Sequence, residues 1–259
     1  MSHTFVVCAY GESPFLEECV KSLLLQDGSP RILIATSTLN DAIEAVAKKH
    51  NLPLFVRDGE SGIAADWNFA ISCANTDLVT VAHQDDVYER GYSRRLLAAY
   101  ESNPDLLLYF TNYGELRGYG AVDSNRLLSV KRAMLSPLKD GRLKRSRFAR
   151  RRILSIGSAI CCPSVSFNLK CLQQPIFEST MKCDLDWQAW EKISKQRGSF
   201  YYDSEILMYH RIHEQSETTH LIGDNTRSRE DLEMLGKFWP SGIARLINRA
   251  YSKSQKSNG

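Results

Sequence analysis

Two adjacent carboxylates, Asp85 and Asp86, are the residues of this sequence best placed for chemistry. They directly follow residues 78–82, a short apolar run rich in β-branched side chains that predicts a buried strand. Ligands of open α/β sheets bind at the carboxyl ends of strands, where these acids would emerge. Neighbouring aspartates repel each other unless a cation or several hydrogen-bond donors offset their charge. The pair therefore predicts a site for a hard divalent metal and a phosphate, with a solvated turn as the alternative.

Regular elements must bring this pair to the edge of a sheet. Up to residue 113, segments typical of strands alternate with segments typical of helices, joined by short loops. The expected strands span 4–10, 31–35, 54–57, 78–82 and 106–111, and the expected helices span 14–27, 39–50, 62–74 and 89–102. Repeated strand–helix units predict a mainly parallel sheet covered by helices, which is an α/β fold.

The pattern changes after residue 113. Residues 114–152 are polar and irregular and then become basic, and a second patterned region follows them. In that region we expect strands at 160–167, 200–202 and 206–212 and a helix at 185–197. The polar tail, 251–259, is expected to be flexible.

Composition narrows the class of protein. The chain has 259 residues, of which 43% are hydrophobic and 24% are charged, as is ordinary for a globular protein. Its net charge of +3 is too small to indicate nucleic acid, which we do not expect as a partner. The seven cysteines are odd in number and scattered, without a C-x-x-C pair, which favours reduced thiols and a cytoplasmic location. We expect neither a signal peptide nor a membrane span, because no apolar run approaches the ~20 residues that a span needs.

A basic segment, residues 139–152, concentrates positive charge. Most of its cations lie between residues 142 and 152, namely Arg142, Lys144, Arg145, Arg147, Arg150, Arg151 and Arg152. Such a run is most often a solvated face. It would also be attracted to anionic lipid, so peripheral contact with the inner membrane face through residues 142–152 is a second interpretation. Nucleic-acid contact is the third, and the modest net charge argues against it.

Taken in order, several segments resemble the family-two glycosyltransferases, inverting enzymes with the GT-A fold. The matching segments are 5–12 (first strand and nucleotide-side loop), 16–26 (first helix), 62–68 (helix before the metal motif), 83–86 (D-x-D-type motif), 185–190 (motif of the catalytic base) and 209–216 (R-x-H-x-x-S segment near the diphosphate). The resemblance spans roughly residues 4–220, and its strength lies in the order and spacing of the segments.

The resemblance implies both a fold and a reaction. The fold would be a mixed, mainly parallel central sheet flanked by helices, with a Rossmann-like nucleotide-sugar-binding half over residues 1–113. Residues 114–250 would bind the acceptor and supply the base. The reaction would move a hexosyl group from a nucleotide diphosphate sugar, UDP foremost, to a saccharide or lipid-linked acceptor in bacterial cell-surface glycan synthesis. A Mn²⁺ or Mg²⁺ ion would stabilise the departing diphosphate.

The resemblance also implies which residues form the donor site. We assign Asp86 to the metal and Asp85 to the ribose or a shared role, although the order could be reversed. Arg211 and His213 would share one face of a strand, with Arg211 on the diphosphate and His213 as a metal or phosphate partner, while His210 would face away. The donor-binding candidates are Ala9, Tyr10, Glu12, Thr36, Asp66, Trp67, Gln84, Asp85 and Arg211.

Asp186 is the implied catalytic base. It lies beside Trp187 and Trp190 at a predicted helix start, where an apolar surround would raise its pKa toward neutrality. Asp184, two residues away, is the competing candidate. The alternative for Asp186 is a helix N-cap, a position that Asp favours.

Three positions depart from the family pattern. Residues 36–38 are Thr-Ser-Thr where members usually carry an acidic pair, Trp67 replaces a common arginine, and His83 replaces the first acid of the metal motif. Two other functions remain open at this point. A nucleotidyltransferase would need a glycine- and basic-rich loop after the first strand, which residues 11–14 lack. A non-catalytic nucleotide- or membrane-binding module is the other alternative.

Overall fold

The computed structural model describes residues 2–213 and 226–256. Its sheet contains strands β1 (His3–Ala9), β2 (Arg31–Thr36), β3 (Leu54–Val56), β4 (Leu78–His83), β5 (Val87–Tyr88), β6 (Leu106–Arg117), β7 (Gly120–Val122), β8 (Val165–Asn168) and β9 (Ser199–Arg211). The flanking helices are α1 (Leu16–Leu24), α2 (Asp41–Lys49), α3 (Ile63–Ser72), α4 (Tyr92–Ser102), α5 (Arg126–Leu135), α6 (Arg147–Ile153), α7 (Leu185–Ser194), α8 (Thr226–Gly236) and α9 (Ser241–Lys256).

One mixed sheet joins the two halves of the chain. Within the described residues its nine strands have the order β3-β2-β1-β4-β8-β6-β9-β5, with β7 paired to β6. The strands β1 to β4 pair in parallel, as the alternation of strands and helices predicts. The strand β8 runs antiparallel to both β4 and β6, whereas β6 and β9 are parallel. The predicted α/β fold, a mixed sheet flanked by helices, is confirmed.

The strands β1, β2 and β4 end at the same edge of the sheet. In the parallel register Cys8 pairs with His83, and Ala9 pairs with Thr36. The loops that follow these strands therefore leave the sheet side by side. This places the acids after β4 next to the loop after β1, where the sequence predicts the donor site.

Apolar layers on both faces of the sheet hold these strand ends in place. The side chains of Phe5 and Val7 enter one layer and that of Val6 enters the other, and all three are fully buried. The helix α1 packs on the first layer through Leu16, Cys19, Val20 and Leu23. Each fully buried Phe, Val or Leu side chain stabilises the fold by about 1.5–3 kcal/mol. The packed apolar layers therefore hold the ends of these strands in fixed positions.

One long strand, β9, replaces the two short strands expected at 200–202 and 206–212. Residues 203–205, between the two expected strands, belong to β9, and the register against β6 shifts there, between Thr111 and Asn112. Asp203 explains the difference, because its carboxylate accepts two hydrogen bonds from Arg95, at 2.7 Å each, and one from the Tyr109 hydroxyl at 3.0 Å. A buried acid that is paired in this way can lie inside a sheet.

The basic segment is partly internal. The guanidinium of Arg150 is fully buried, donates to the Gln196 carbonyl at 2.8 Å and lies 5.2 Å from the centre of the Phe200 ring. Arg151 donates to Glu191 Oε1 at 2.6 Å. These two arginines join α6 to neighbouring elements, so the segment is not a solvated face over its whole length. Arg147 and Phe148 do face outward, and Phe148 is 80% exposed.

The C-terminal region is more helical than the sequence predicts. The helix α9 continues to Lys256, through much of the segment expected to be flexible, and residues 257–259 lie outside the described residues. Within the described ranges, no helix is both long enough and apolar enough to cross a membrane. All seven cysteines are free thiols.

Candidate active site

A cleft of about 830 Å³ opens at the carboxyl ends of β1 and β4. One part of its lining comes from the loop after β1, the start of α3 and the loop after β4. The other part comes from α5, residues 158 and 160–163, and residues 182–186 at the start of α7. The cleft is of a size typical for small-molecule sites, and both halves of the chain form it.

The two aspartates after β4 have different environments. Asp85 lines the cleft, and its Oδ2 lies 2.8 Å from Nε2 of His213. The side chain of Asp86 is fully buried beneath it. Its Oδ1 accepts the Arg211 N–H at 2.9 Å and lies 3.0 Å from Nδ1 of His210. Asp85 therefore lines the cleft and Asp86 lies beneath it, and the assignment of Asp86 to the metal stays a prediction.

Neighbouring histidines affect the pKa of Asp85, and Asp86 affects the pKa of His210. Burial would raise the pKa of Asp85, but the charge of His83 and the hydrogen bond from His213 outweigh it and lower that pKa. Burial would lower the pKa of His210, and the Asp86 carboxylate reverses this and raises it. Burial lowers the pKa of His83. The lowered pKa values of Asp85 and His83 both favour the forms that bind a cation, since a bound ion would take the place of the imidazolium charge beside Asp85.

His83, Asp85 and Asp86 lie close enough together to hold one divalent ion. One ligand atom each from His83, Asp85 and Asp86 can be chosen so that all lie within 4.8 Å of one another. Over the described ranges, Oδ2 of Asp86 and Nε2 of His83 are buried without a hydrogen-bond partner. Buried polar atoms are nearly always satisfied, so orphans at a cleft floor indicate a missing ligand. Carboxylate oxygens with one imidazole nitrogen suit Mn²⁺ better than Mg²⁺, which strongly prefers oxygen.

His210, Arg211 and His213 all reach the aspartate pair. Strand alternation predicts that His210 faces away, but Nδ1 of His210 lies 3.0 Å from Oδ1 of Asp86, so this expectation is wrong. The Arg211 guanidinium donates to the Asp85 carbonyl at 2.8 Å and to Glu18 at 2.6 Å, and it stacks 4.3 Å from the Phe15 ring centre. Arg211 therefore holds the loop after β4 and is not among the described residues that line the cleft. Residues 214–216, the end of the R-x-H-x-x-S segment, lie outside the described residues.

The predicted donor-binding residues divide into two groups. Tyr10, Glu12, Asp66, Trp67, Gln84 and Asp85 line the cleft. Ala9 and Thr36 are each only 2% exposed, inside their strands, and they do not line it. The amide of Gln84 is engaged by the backbone of Tyr10, from which its Oε1 accepts at 3.1 Å and to which its Nε2 donates at 2.8 Å. Gln84 therefore positions the loop after β1.

Asp66 and Trp67 have separate tasks at the start of α3. The Asp66 carboxylate accepts from Arg57 Nε at 2.8 Å and from the Gly62 N–H at 3.1 Å, so it closes the turn into the helix. The Trp67 ring stacks on His83 with centroids 5.1 Å apart and an angle of 22°. Two departures from the family pattern, Trp67 and His83, are thus a single stacked unit beside Asp85.

Asp186 faces the cleft from the first turn of α7. It is partly exposed, and its Oδ1 accepts the Trp187 N–H at 2.6 Å. Burial raises the pKa of Asp186, although the Trp187 N–H and the charges of Arg227 and Lys131 work in the opposite direction. Asp184 occupies the N-cap position, without a capping bond from its side chain. The N-cap alternative therefore does not apply to Asp186.

Asp184 is buried against Asp231 of α8. Burial, followed by the charges of Asp231 and Asp186, raises the pKa of Asp184 to about 9. Burial also raises the pKa of Asp231. One proton held between these two acids removes their repulsion. A carboxyl group that is protonated at neutral pH cannot accept a proton, so Asp186 is the better candidate for a base.

We expect Asp184→Asn to raise the melting temperature in alkaline solution far more than in mild acid. Folded Asp184 has a pKa of about 9, whereas an unfolded aspartate titrates near ~3.9. Its stabilising contribution is thus complete below about pH 4 and is lost as the pH rises toward about 9. Asparagine needs no proton, so the variant avoids this loss.

Melting curves of the wild type and of Asp184→Asn at about pH 5 and about pH 8.5 measure the effect. The advantage of the variant should grow by several degrees between the two conditions. An equal difference at both values of pH would show that folded Asp184 titrates normally.

The sequence did not reveal several residues of the cleft. Lys131 enters from α5 and donates to the Tyr113 hydroxyl at 2.8 Å. Arg227 enters from α8. The helix α5 lies in a stretch that looked irregular, and the signal that marks it is the N-cap Asn125, whose side chain accepts the Leu128 N–H. An N-cap of this kind indicates a helix start even where apolar periodicity is weak.

Comparison with known proteins agrees with this fold. Among solved structures, TarS residues 1–349 from S. aureus, in complex with UDP-GlcNAc, has 16% sequence identity and a TM-score of 0.66, over 96% of this chain and 70% of that one. The mannosyltransferase PcManGT from Pyrobaculum calidifontis, in complex with GDP-Man and Mn²⁺, has 15% identity and a TM-score of 0.64, over 96% and 68%. A longer TarS structure has 13% identity and a TM-score of 0.64, and this chain covers only 42% of its length.

These structural likenesses establish the fold, and the GT-A architecture implied by the resemblance is confirmed. No curated protein matches the sequence. The model of the family described as "Glycosyl transferase family 2" matches residues 4–170. The matched region contains the loop after β1, the start of α3 and the aspartate pair. The chain therefore belongs to glycosyl transferase family 2.

Proposed function

We propose that this protein is a metal-dependent, inverting hexosyltransferase that uses a nucleotide diphosphate sugar. The observation that carries the proposal is one cleft lined both by Asp85, with its histidines, and by Asp186. Displacing a nucleotide diphosphate with a hydroxyl has two requirements. One group must hold a cation that is bound to the phosphates, and another group must accept a proton. In this protein the two halves of the chain supply one each.

Asp85 and His83 would hold the divalent ion, with Asp86 beneath them. When bound, such an ion supplies positive charge that stabilises a departing diphosphate. The chain's own residues prepare the place for it. The hydrogen bond from His213 orients the Asp85 carboxylate, and Arg211 holds the backbone of the same residue through its carbonyl. Fixed ligands of this kind keep a site in a productive geometry.

Asp186 would take the proton from the acceptor hydroxyl as that oxygen attacks the anomeric carbon. Burial raises its pKa, which makes the carboxylate a stronger base than an exposed aspartate. Lys131 and Arg227 lower that pKa again, which favours the ionised form that a base needs. Attack from the face opposite the diphosphate would invert the anomeric centre.

UDP is the nucleotide that we propose, and a bacterial surface glycan or a lipid-linked saccharide is the proposed acceptor. Support comes from the neighbours, because the TarS structure contains UDP-GlcNAc and the mannosyltransferase structure contains GDP-Man and Mn²⁺. The presence of Mn²⁺ in that complex also agrees with the mixed carboxylate and imidazole set in this cleft.

Thermal shift assays with UDP, GDP and CMP, with and without Mn²⁺, test the proposal, followed by hydrolysis of the corresponding nucleotide sugars. The proposed function predicts stabilisation by one nucleoside diphosphate only when Mn²⁺ is present, and release of that nucleotide from its sugar. Stabilisation without any turnover would support a non-catalytic binding module. No response to any nucleotide would contradict the proposal.

We also propose that the exposed part of residues 142–152 contacts anionic lipid. Arg147 and Phe148 offer a positive charge and an apolar ring side by side, and Phe148 is 80% exposed. Membrane surfaces contribute about 1 kcal/mol per nearby cation. The double variant Arg147→Glu, Phe148→Ser should therefore bind anionic liposomes at least about tenfold more weakly in co-sedimentation.

The matched control is Arg94→Glu, which makes the same change of charge on α4 at a side chain that is 66% exposed. Its binding to liposomes should equal that of the wild type. Equal binding by all three proteins would contradict the proposed lipid contact.

A further inference from the structure

Glu230 of α8 makes an unusual set of contacts with the chain just before α7. Its side chain is buried, with 5% of the residue exposed. Its carboxylate accepts three consecutive backbone N–H groups, those of Lys182 at 3.0 and 3.1 Å, Cys183 at 2.7 Å and Asp184 at 3.2 Å. A carboxylate that binds several backbone N–H groups makes strong, charge-assisted hydrogen bonds.

These contacts end two residues before the proposed base. The Asp184 carbonyl accepts the Gln188 N–H at 2.8 Å, which begins α7, and the Gln188 side chain donates to Thr180 Oγ1 at 2.8 Å. The segment 180–184 is therefore tied both to the helix and to Glu230. Because Asp186 lies in the first turn of α7, the direction in which the chain enters the helix determines where its carboxylate points.

We propose that Glu230 is a positioning residue, which sets the direction of the Asp186 carboxylate by binding the three N–H groups of residues 182–184. This inference rests on the proposed function, since it assumes that Asp186 is the base. The helix α8 lies outside the matched region 4–170, and this proposal assigns it a role in the reaction. Glu230 would act through the backbone, and it is not among the described residues that line the cleft.

The variant Glu230→Gln tests this role because it keeps the shape of the side chain. One oxygen can still accept, but the new NH₂ group faces backbone N–H donors, which cannot bind it. We expect kcat to fall by about tenfold or more, because small misplacements of a catalytic group have large effects on rate. The KM for the nucleotide sugar and the thermal shift caused by the nucleotide should stay within about twofold, since Glu230 is not part of the donor site.

Glu233→Gln is the matched control, because Glu233 is an exposed glutamate on the same helix. Its kcat and KM should equal those of the wild type. Hydrogen exchange adds a readout that needs no turnover, and the amides of residues 182–184 should lose protection in Glu230→Gln and keep it in Glu233→Gln. If Glu230→Gln does not fold, Glu230→Asp keeps the charge, and the same fall in kcat without a change in KM is expected of it.

The outcomes separate this inference from the proposed function. A wild-type protein that turns over no nucleotide sugar overturns both. An active wild type, together with Glu230→Gln whose kcat is within about twofold of that of Glu233→Gln, overturns only the positioning role. A fall in kcat matched by an equal loss of nucleotide binding also overturns it, because the defect would then be structural.

Discussion

Replacing Asp186 with asparagine is expected to abolish sugar transfer and leave nucleotide binding intact. The substitution keeps the size and the hydrogen bond from the Trp187 N–H, but it removes the negative charge that would accept the proton of the acceptor hydroxyl. General base catalysis contributes about 10²–10⁴ to a rate, so kcat should fall by about a thousandfold. Steady-state kinetics with the donor found in the nucleotide screen, and titration with the nucleotide, measure the two effects.

Asp184→Asn is the matched comparison, because it makes the same change two residues earlier in the chain. Asp184 holds a proton at neutral pH, so an amide should replace it with a much smaller loss of kcat. Near-normal turnover by Asp186→Asn together with an inactive Asp184→Asn would transfer the role of base to Asp184. Loss of nucleotide binding in Asp186→Asn would instead place this residue in the donor site.

Replacing Asp85 with asparagine is expected to remove the response to metal without unfolding the protein. Asp85 lines the cleft, and the cation site would lose its exposed negative ligand. Stabilisation of a leaving group by a metal supplies several kcal/mol, so kcat/KM should fall by about 100-fold or more. The thermal shift caused by nucleotide with Mn²⁺ should disappear, while the melting temperature without ligand stays close to that of the wild type.

Asp86→Asn should lower the stability of the protein as well as its response to metal. Asp86 is fully buried and accepts the Arg211 N–H beside His210, so removing its charge weakens two contacts that close the end of β9. Hydrogen bonds to a buried charge contribute about 1.5–3 kcal/mol each, so the melting temperature should fall by several degrees. If Asp86→Asn melts normally and loses the metal response, and Asp85→Asn keeps that response, the original order of the two acids is right.

The sequence predicted the location of the acids but not their separate roles. A β-branched run that ends in two carboxylates places them at a sheet edge, and the structure has them there. Which acid faces the cleft depends on the turn after β4, where strand alternation no longer holds. The partners of Asp86 come from residues 210 and 211, more than a hundred positions later. No local pattern encodes such a pairing.

The second half of the chain was harder to predict for a similar reason. Its polar residues are satisfied by distant partners, as in the pairing of Asp203 with Arg95 and the burial of Arg150 against Phe200. Local composition describes such residues as a turn or a solvated face, because it contains no information about what lies opposite them. The role of Glu230 could not be predicted for the same reason. Its carboxylate binds three backbone N–H groups, and these do not depend on the residue types at positions 182–184.

The contact between Trp67 and His83 has a consequence for protein engineering. Because the two rings stack on each other, a substitution at one position changes the surroundings of the other. Introducing an acid at His83 alone would uncover the indole and crowd a third carboxylate against Asp85 and Asp86. We therefore expect Trp67→Arg and His83→Asp to be tolerated better together than His83→Asp alone, because the new guanidinium would neutralise the new carboxylate.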